Sequence, residues 1–78
     1  MKKLENADKI VIEYYEHDGV EDNPYTTIEF FKYSKISEEY KEIHLITLKG
    51  HKKENIKEIN KIKKQYQGIE IKEEEIDY

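Results

Sequence analysis

Apolar positions recur along this chain with two different periods. From Lys9 to Glu16, Ile10, Ile12 and Tyr14 fall on one side and Val11, Glu13 and Tyr15 on the other, the two-residue alternation of a strand. The next stretch, His17-Asp18-Gly19-Val20-Glu21-Asp22-Asn23-Pro24, holds Asp-Gly and Asn-Pro, both turn formers, and predicts a hairpin loop. Tyr25 to Tyr33 concentrates aromatic and β-branched residues and predicts a second strand with Ile28 and Phe30 inward. Ser34 to Lys41 reads as a connection in which Ser37 caps a single helical turn. Glu42 to Lys49 is the most apolar strand pattern and ends at Gly50.

From about Lys52 to Gln67 the period changes. Ile56, Ile59, Ile62 and Tyr66 lie within about 120° of one another on a helical wheel, which makes one apolar stripe. Asn55 followed by Glu58 has capping-box spacing, with Gly50 or His51 as an earlier start, and Gly68 suits the left-handed position after the last turn with Ile69 closing over it. Ile69 to Lys72 alternates as a fourth strand, and residues 1–7 and 73–78 are expected to fray.

The expected fold is a single α+β domain over residues 1–78, in β-β-β-α-β order, with a mainly antiparallel sheet and one helix on one face. The helix stripe should meet Ile10, Ile12, Ile28, Phe30 and Leu45. The last strand should run parallel to the third, because a helix separates them. With one helix, the other sheet face stays open, and Val11, Tyr15, Tyr25, Phe31 and Tyr33 should line it. That is more aromatic area than a lone small domain normally exposes, so a protein partner, or a homodimer through the open face or an edge strand, is expected.

Composition narrows the chemistry. Seventy-eight residues, 41% of them charged, support one small core. There is no Cys, so thiolate chemistry, disulfides and Cys-based metal centres are excluded, and a cytoplasmic home is expected. The N-terminus has no apolar signal region and no segment is long enough to span a membrane. All 14 basic residues are Lys, so bidentate guanidinium recognition of phosphate or guanine is absent.

Charge is unevenly distributed. The net values are −4 over residues 1–50, +4 over 51–67 and −4 over 68–78. No Lys occurs from Ile10 to Phe31, while Glu13, Glu16, Asp18, Glu21, Asp22 and Glu29 do. Such a hairpin attracts a basic surface, and it can imitate a run of phosphates in a protein's nucleic-acid site, as small inhibitors from phages and mobile elements do. The rival reading takes the other sign: Lys53, Lys57, Lys61 and Lys64 share the polar side of the helix and could contact RNA or DNA.

No cofactor is implied. Glu16, His17, Asp18, Glu21 and Asp22 are possible metal ligands, but they lack the alternating oxygens and central Gly of a calcium loop. For catalysis the candidates are Ser34, Ser37, His17, His44 and His51, joined by no nucleophile or phosphate-loop motif, although His44 and His51 with nearby Lys are the residue types of acid–base RNA cleavage. A non-catalytic binding protein is the expected class.

Overall fold

The structure, a computed structural model, describes residues 7–16 and 23–76. It contains β1 (Lys9–Tyr15), β2 (Tyr25–Ser34), β3 (Glu39–Lys49), α1 (Lys52–Gln65) and β4 (Glu70–Ile76). The four strands form one sheet in the order β3-β2-β1-β4. β1 pairs antiparallel with β2 and parallel with β4, and β2 pairs antiparallel with β3. The fold is therefore the α+β arrangement that the patterning predicts. β4 does run in the direction of β3, but two strands separate them, so α1 carries the chain across three strand spacings, about 14 Å.

Alternation decides which side chains meet the helix. Ile10, Ile12, Ile28 and Ile59 are fully enclosed, with Tyr14, Phe30, Ile62 and Tyr66 nearly so. The Phe30 and Tyr66 rings meet with centroids 5.4 Å apart. Each buried Ile or Phe contributes roughly 1.5–3 kcal/mol, which makes this cluster the main source of stability. Leu45 departs from expectation: it is 48% exposed. Ile28 pairs with Ile46 and Thr26 with Leu48, so Ile46 and Leu48 are the β3 residues that pack on the core, and Leu45, one position before Ile46 and opposite Glu29, faces the open side.

The second hairpin is longer than its sequence suggests. β2 runs to Ser34 and β3 starts at Glu39, leaving a four-residue turn in which Glu38 takes φ 56°. Ser37 caps no helical turn; its amide donates to Ser34 Oγ at 3.4 Å. A cross-strand Tyr33–Tyr40 edge-to-face pair (5.3 Å) closes the arm, a contact that outweighs the local capping preference of Ser37. Between Phe30 and Phe31 the register slips. Phe30 pairs with His44 but Phe31 with Glu42, so β3 holds one extra residue, and Glu42 and Tyr40 turn to the same face as Leu45.

The ends of α1 are held locally. Gly50 adopts φ 104°, where an added Cβ would lie 2.8 Å from Glu54 Oε1. His51 is the N-cap residue, its amide donating to Glu54 Oε1 at 2.7 Å. Asn55 is therefore not the cap; its side-chain amide Nδ2 instead donates back to the carbonyl of Lys49 at 3.0 Å. Gly68 takes φ 97° past the last turn, as expected, and Ile69 packs on the core. β4 continues beyond Lys72, because Glu73 to Ile76 pair with Ile12 to Tyr15, and Ala7 is buried in the core. Fraying is thus not seen at residues 7 and 73–76, and residues 1–6 and 77–78 lie outside the described segments.

Candidate functional site

The uncovered face is built from the alternate positions of the central strands. β1 contributes Val11, Glu13 and Tyr15; β2 contributes Tyr25, Thr27, Glu29 and Phe31. β3 adds Leu45 opposite Glu29 and, through its extra residue, Glu42 opposite Phe31. Tyr15 and Tyr25 stack face to face at 4.5 Å and 14°. The Tyr15 hydroxyl donates to Glu13 at 3.1 Å. Lys9, on the same face, places its ammonium 5.0 Å over the Tyr40 ring.

Three carboxylates, Glu13, Glu29 and Glu42, meet in the middle of this aromatic surface. Partial burial and then hydrogen bonding to Glu42, with the negative charge of Glu13, push the Glu29 carboxyl up to about 7. The Tyr15 hydroxyl is also raised, by burial and by Glu13. Among the described residues no lysine forms an ion pair with Glu13, Glu29 or Glu42. The centre of the face therefore carries carboxylates that no lysine of the described residues pairs with.

The rest of the acidic set behaves differently. Glu16 Oε2 accepts from the Lys52 amide at 3.0 Å and meets His51 Nδ1 at 2.9 Å. The Lys52 amide, then His51, holds the Glu16 carboxyl below its usual value, so this residue satisfies the helix N-terminus on the helix side of the sheet, the side of Ile10, Ile12 and Tyr14. Asp18, Glu21 and Asp22 lie outside the described residues, as does His17.

On α1, Lys53, Lys57, Lys61 and Lys64 are all exposed, on the side away from the sheet. Two other helix lysines are engaged. Lys52 sits 4.5 Å over the Tyr14 ring, and Lys63 binds Glu73 at 2.6 Å. Glu73 also accepts the Tyr14 hydroxyl at 2.5 Å, linking β1, β4 and α1. Burial alone would raise Glu73, but Lys63 and Tyr14 together hold it low.

The residues considered for catalysis are dispersed. His44 packs its ring on Phe30 (5.6 Å), whereas His51 sits at the start of α1 beside Glu16. Ser34 accepts a backbone bond within the turn. A cleft of about 630 Å³ beside His51 is lined by Glu16, Lys52, Lys53 and Ile56 and holds no Ser, Thr or Cys nucleophile. Among the described residues no group of three His, Asp or Glu is placed to hold a metal ion, and no helix is long and apolar enough to cross a membrane.

Sequence reasoning reached Glu13 and Glu29 through the lysine-free window. It missed Glu42, whose side depends on the register slip and leaves no local mark. Compared with protein families, with characterised proteins and with solved structures, the chain matches none.

Proposed function

We propose that this protein is a non-catalytic binding module that presents its acidic, aromatic open face to a basic surface of a partner protein. The carrying observation is the meeting of Glu13, Glu29 and Glu42 beside the Tyr15–Tyr25 stack with no lysine paired to them among the described residues. Carboxylates without a paired lysine among the described residues, set beside aromatic groups, match a segment that offers a cation between apolar groups, which desolvates the aromatic surface and neutralises the centre. A second copy fits this face poorly, because it would set the same three carboxylates against their counterparts. A homodimer through the outer edge of β3 is compatible with this use of the face. A partner surface that normally receives nucleic acid would meet the charge requirement, which keeps the inhibitor reading.

One observation favours the rival reading: Lys53, Lys57, Lys61 and Lys64 form an exposed row on the opposite side of the molecule. The readings differ in sign, so charge reversal separates them. Glu13→Lys with Glu42→Lys should abolish capture of a basic partner from lysate, while reversal of the four helix lysines to Glu should leave it intact. The opposite pattern, with a gel shift of labelled RNA or DNA that weakens steeply between about 50 and 200 mM salt, overturns the proposal in favour of nucleic-acid binding.

A further inference from the structure

We infer that the outer edge of β3 pairs with the same edge of a second copy of this chain, antiparallel and about a two-fold axis at Leu45. Two four-stranded sheets then join into one of eight strands. β3 ends the sheet, with β2 on one side and no strand on the other among the described residues. It is the longest of the four strands, and Tyr40, Ile43 and Leu45 on it are 44%, 42% and 48% exposed. A long, apolar edge is a template for further pairing.

The direction of its backbone groups follows from bonds at the two ends of the β2–β3 ladder. The Gly50 amide donates to the Pro24 carbonyl at 2.9 Å, so alternation aims the groups of Leu48, Ile46 and His44 at β2 and those of Lys49, Thr47 and Leu45 outward. Beyond the register slip, the Phe31 carbonyl accepts from the Asp8 amide at 2.8 Å, and the Tyr33 amide donates to Asp8 Oδ2 at 2.9 Å. Phe31 and Tyr33 therefore turn their backbone groups toward β1, and their partners Glu42 and Tyr40 turn outward. Outward groups thus recur at Tyr40, Glu42, Leu45, Thr47 and Lys49, although the Lys49 carbonyl already accepts from the Asn55 side chain. Only an axis at Leu45 gives every one of these positions a counterpart. Ile43 is skipped on each copy, as β2 skips it, and Leu45 then meets Leu45, Thr47 meets Glu42 and Lys49 meets Tyr40. Every side chain keeps its own face.

The charges of this edge suit its own copy. Lys49, in no ion pair among the described residues, falls diagonal to Glu42 of the second copy, and symmetry repeats the contact. Lys9 reaches the Tyr40 ring from β1, on the inner side of the sheet. A basic strand would instead meet Lys41 and Lys49 on this edge. The opposite edge, β4, carries Glu70, Glu73, Glu74 and Glu75 and repels its own copy. The pairing does not rest on the functional reading above; it sets the two open faces side by side, with both helices behind them.

Sedimentation equilibrium of the full chain at pH 7, over the micromolar to millimolar range, should show a mass rising from 9.5 kDa to twice that and no further. Leu45→Lys and Leu45→Glu replace a half-exposed side chain and should keep the wild-type circular dichroism. Each should weaken the dimer about a hundredfold by setting like charges across the axis, and an equimolar mixture of the two should restore it. Lys57→Glu, on the exposed side of α1, should leave association unchanged. If either position-45 variant fails to fold, Thr47→Pro takes its place. It removes an outward amide, spares the β2 ladder and should abolish the dimer. A wild-type chain that stays monomeric at millimolar concentration overturns the inference. Growth past the dimer also overturns it, since that is the result of β3 pairing with β4 of the next copy. So does a dimer that survives the substitutions, or a Lys and Glu mixture that stays monomeric.

Discussion

Replacing Tyr14 by Phe isolates the contribution of one hydroxyl to the whole fold. Tyr14 is 1% exposed, and its O–H donates to Glu73 Oε1 at 2.5 Å while Glu73 Oε2 receives Lys63 at 2.6 Å. One carboxylate therefore joins the parallel β1–β4 pair to α1. Phe keeps the ring volume and the Lys52 contact, so the loss belongs to the hydrogen bond. Bonds to charged acceptors contribute about 1.5–3 kcal/mol. The Glu73 side chain is 35% exposed and regains water when the donor goes, which brings the expected cost to about 1–2 kcal/mol. Against a total of roughly 4–12 kcal/mol for a chain of this length, that is a large fraction, equivalent to a fall in Tm of about 5–15 °C.

Urea unfolding at pH 7, followed by far-UV circular dichroism, should show a lower midpoint with an unchanged slope. In a Glu73→Gln background the same substitution should cost half as much or less, because the charged acceptor is already gone. The pH dependence has a defined sign. Burial, then Glu73, raises the Tyr14 hydroxyl above its ordinary value near 10, so the native chain keeps a proton that the unfolded chain releases. The wild-type advantage is complete below pH 10 and shrinks as pH rises beyond it. A cost below about 0.5 kcal/mol at pH 7, or an equal cost in both backgrounds, would refute this account of how β4 is held.

Ile59→Asp should leave the chain unfolded by circular dichroism, since an unpaired carboxylate at a fully enclosed position costs several kcal/mol, whereas Leu45→Lys on the open face should shift Tm by only a few degrees. Glu29→Gln should stabilise the protein at pH 8 and be neutral at pH 4. Native Glu29 is raised from 4.5 to about 7, so the native chain binds the extra proton and wild-type stability falls as pH rises through that window. The full linkage of about 3 kcal/mol, reduced for partial exposure, gives about 1–2 kcal/mol by chemical unfolding; a gain of equal size at pH 4 would contradict it.

Local pattern alone determined much of this architecture. Alternation in β1 and β2 marks Ile10, Ile12, Tyr14, Ile28 and Phe30 as one face, the helical period marks Ile59, Ile62 and Tyr66, and Gly50 and Gly68 mark the helix ends; all of these hold in the structure. These features are legible because each depends on neighbours within a few residues. What lay beyond reach depends on residues distant in the chain. Leu45 reads as a core residue by composition, yet the pairing of Ile28 with Ile46 turns it outward. The extra residue in β3 brings Glu42 beside Glu29, and only the tertiary fold supplies the register slip that does so. Glu16 belongs by charge to the same acidic window as Glu13, and alternation sets it on the side of Ile10, Ile12 and Tyr14; that it meets the start of α1, 35 residues away, is decided only by the tertiary fold. A period states which side chains share a face of one element. Which carboxylates meet across strands, and which are held by a helix terminus, follows from long-range pairing, because those interactions form only when the sheet and helix have packed.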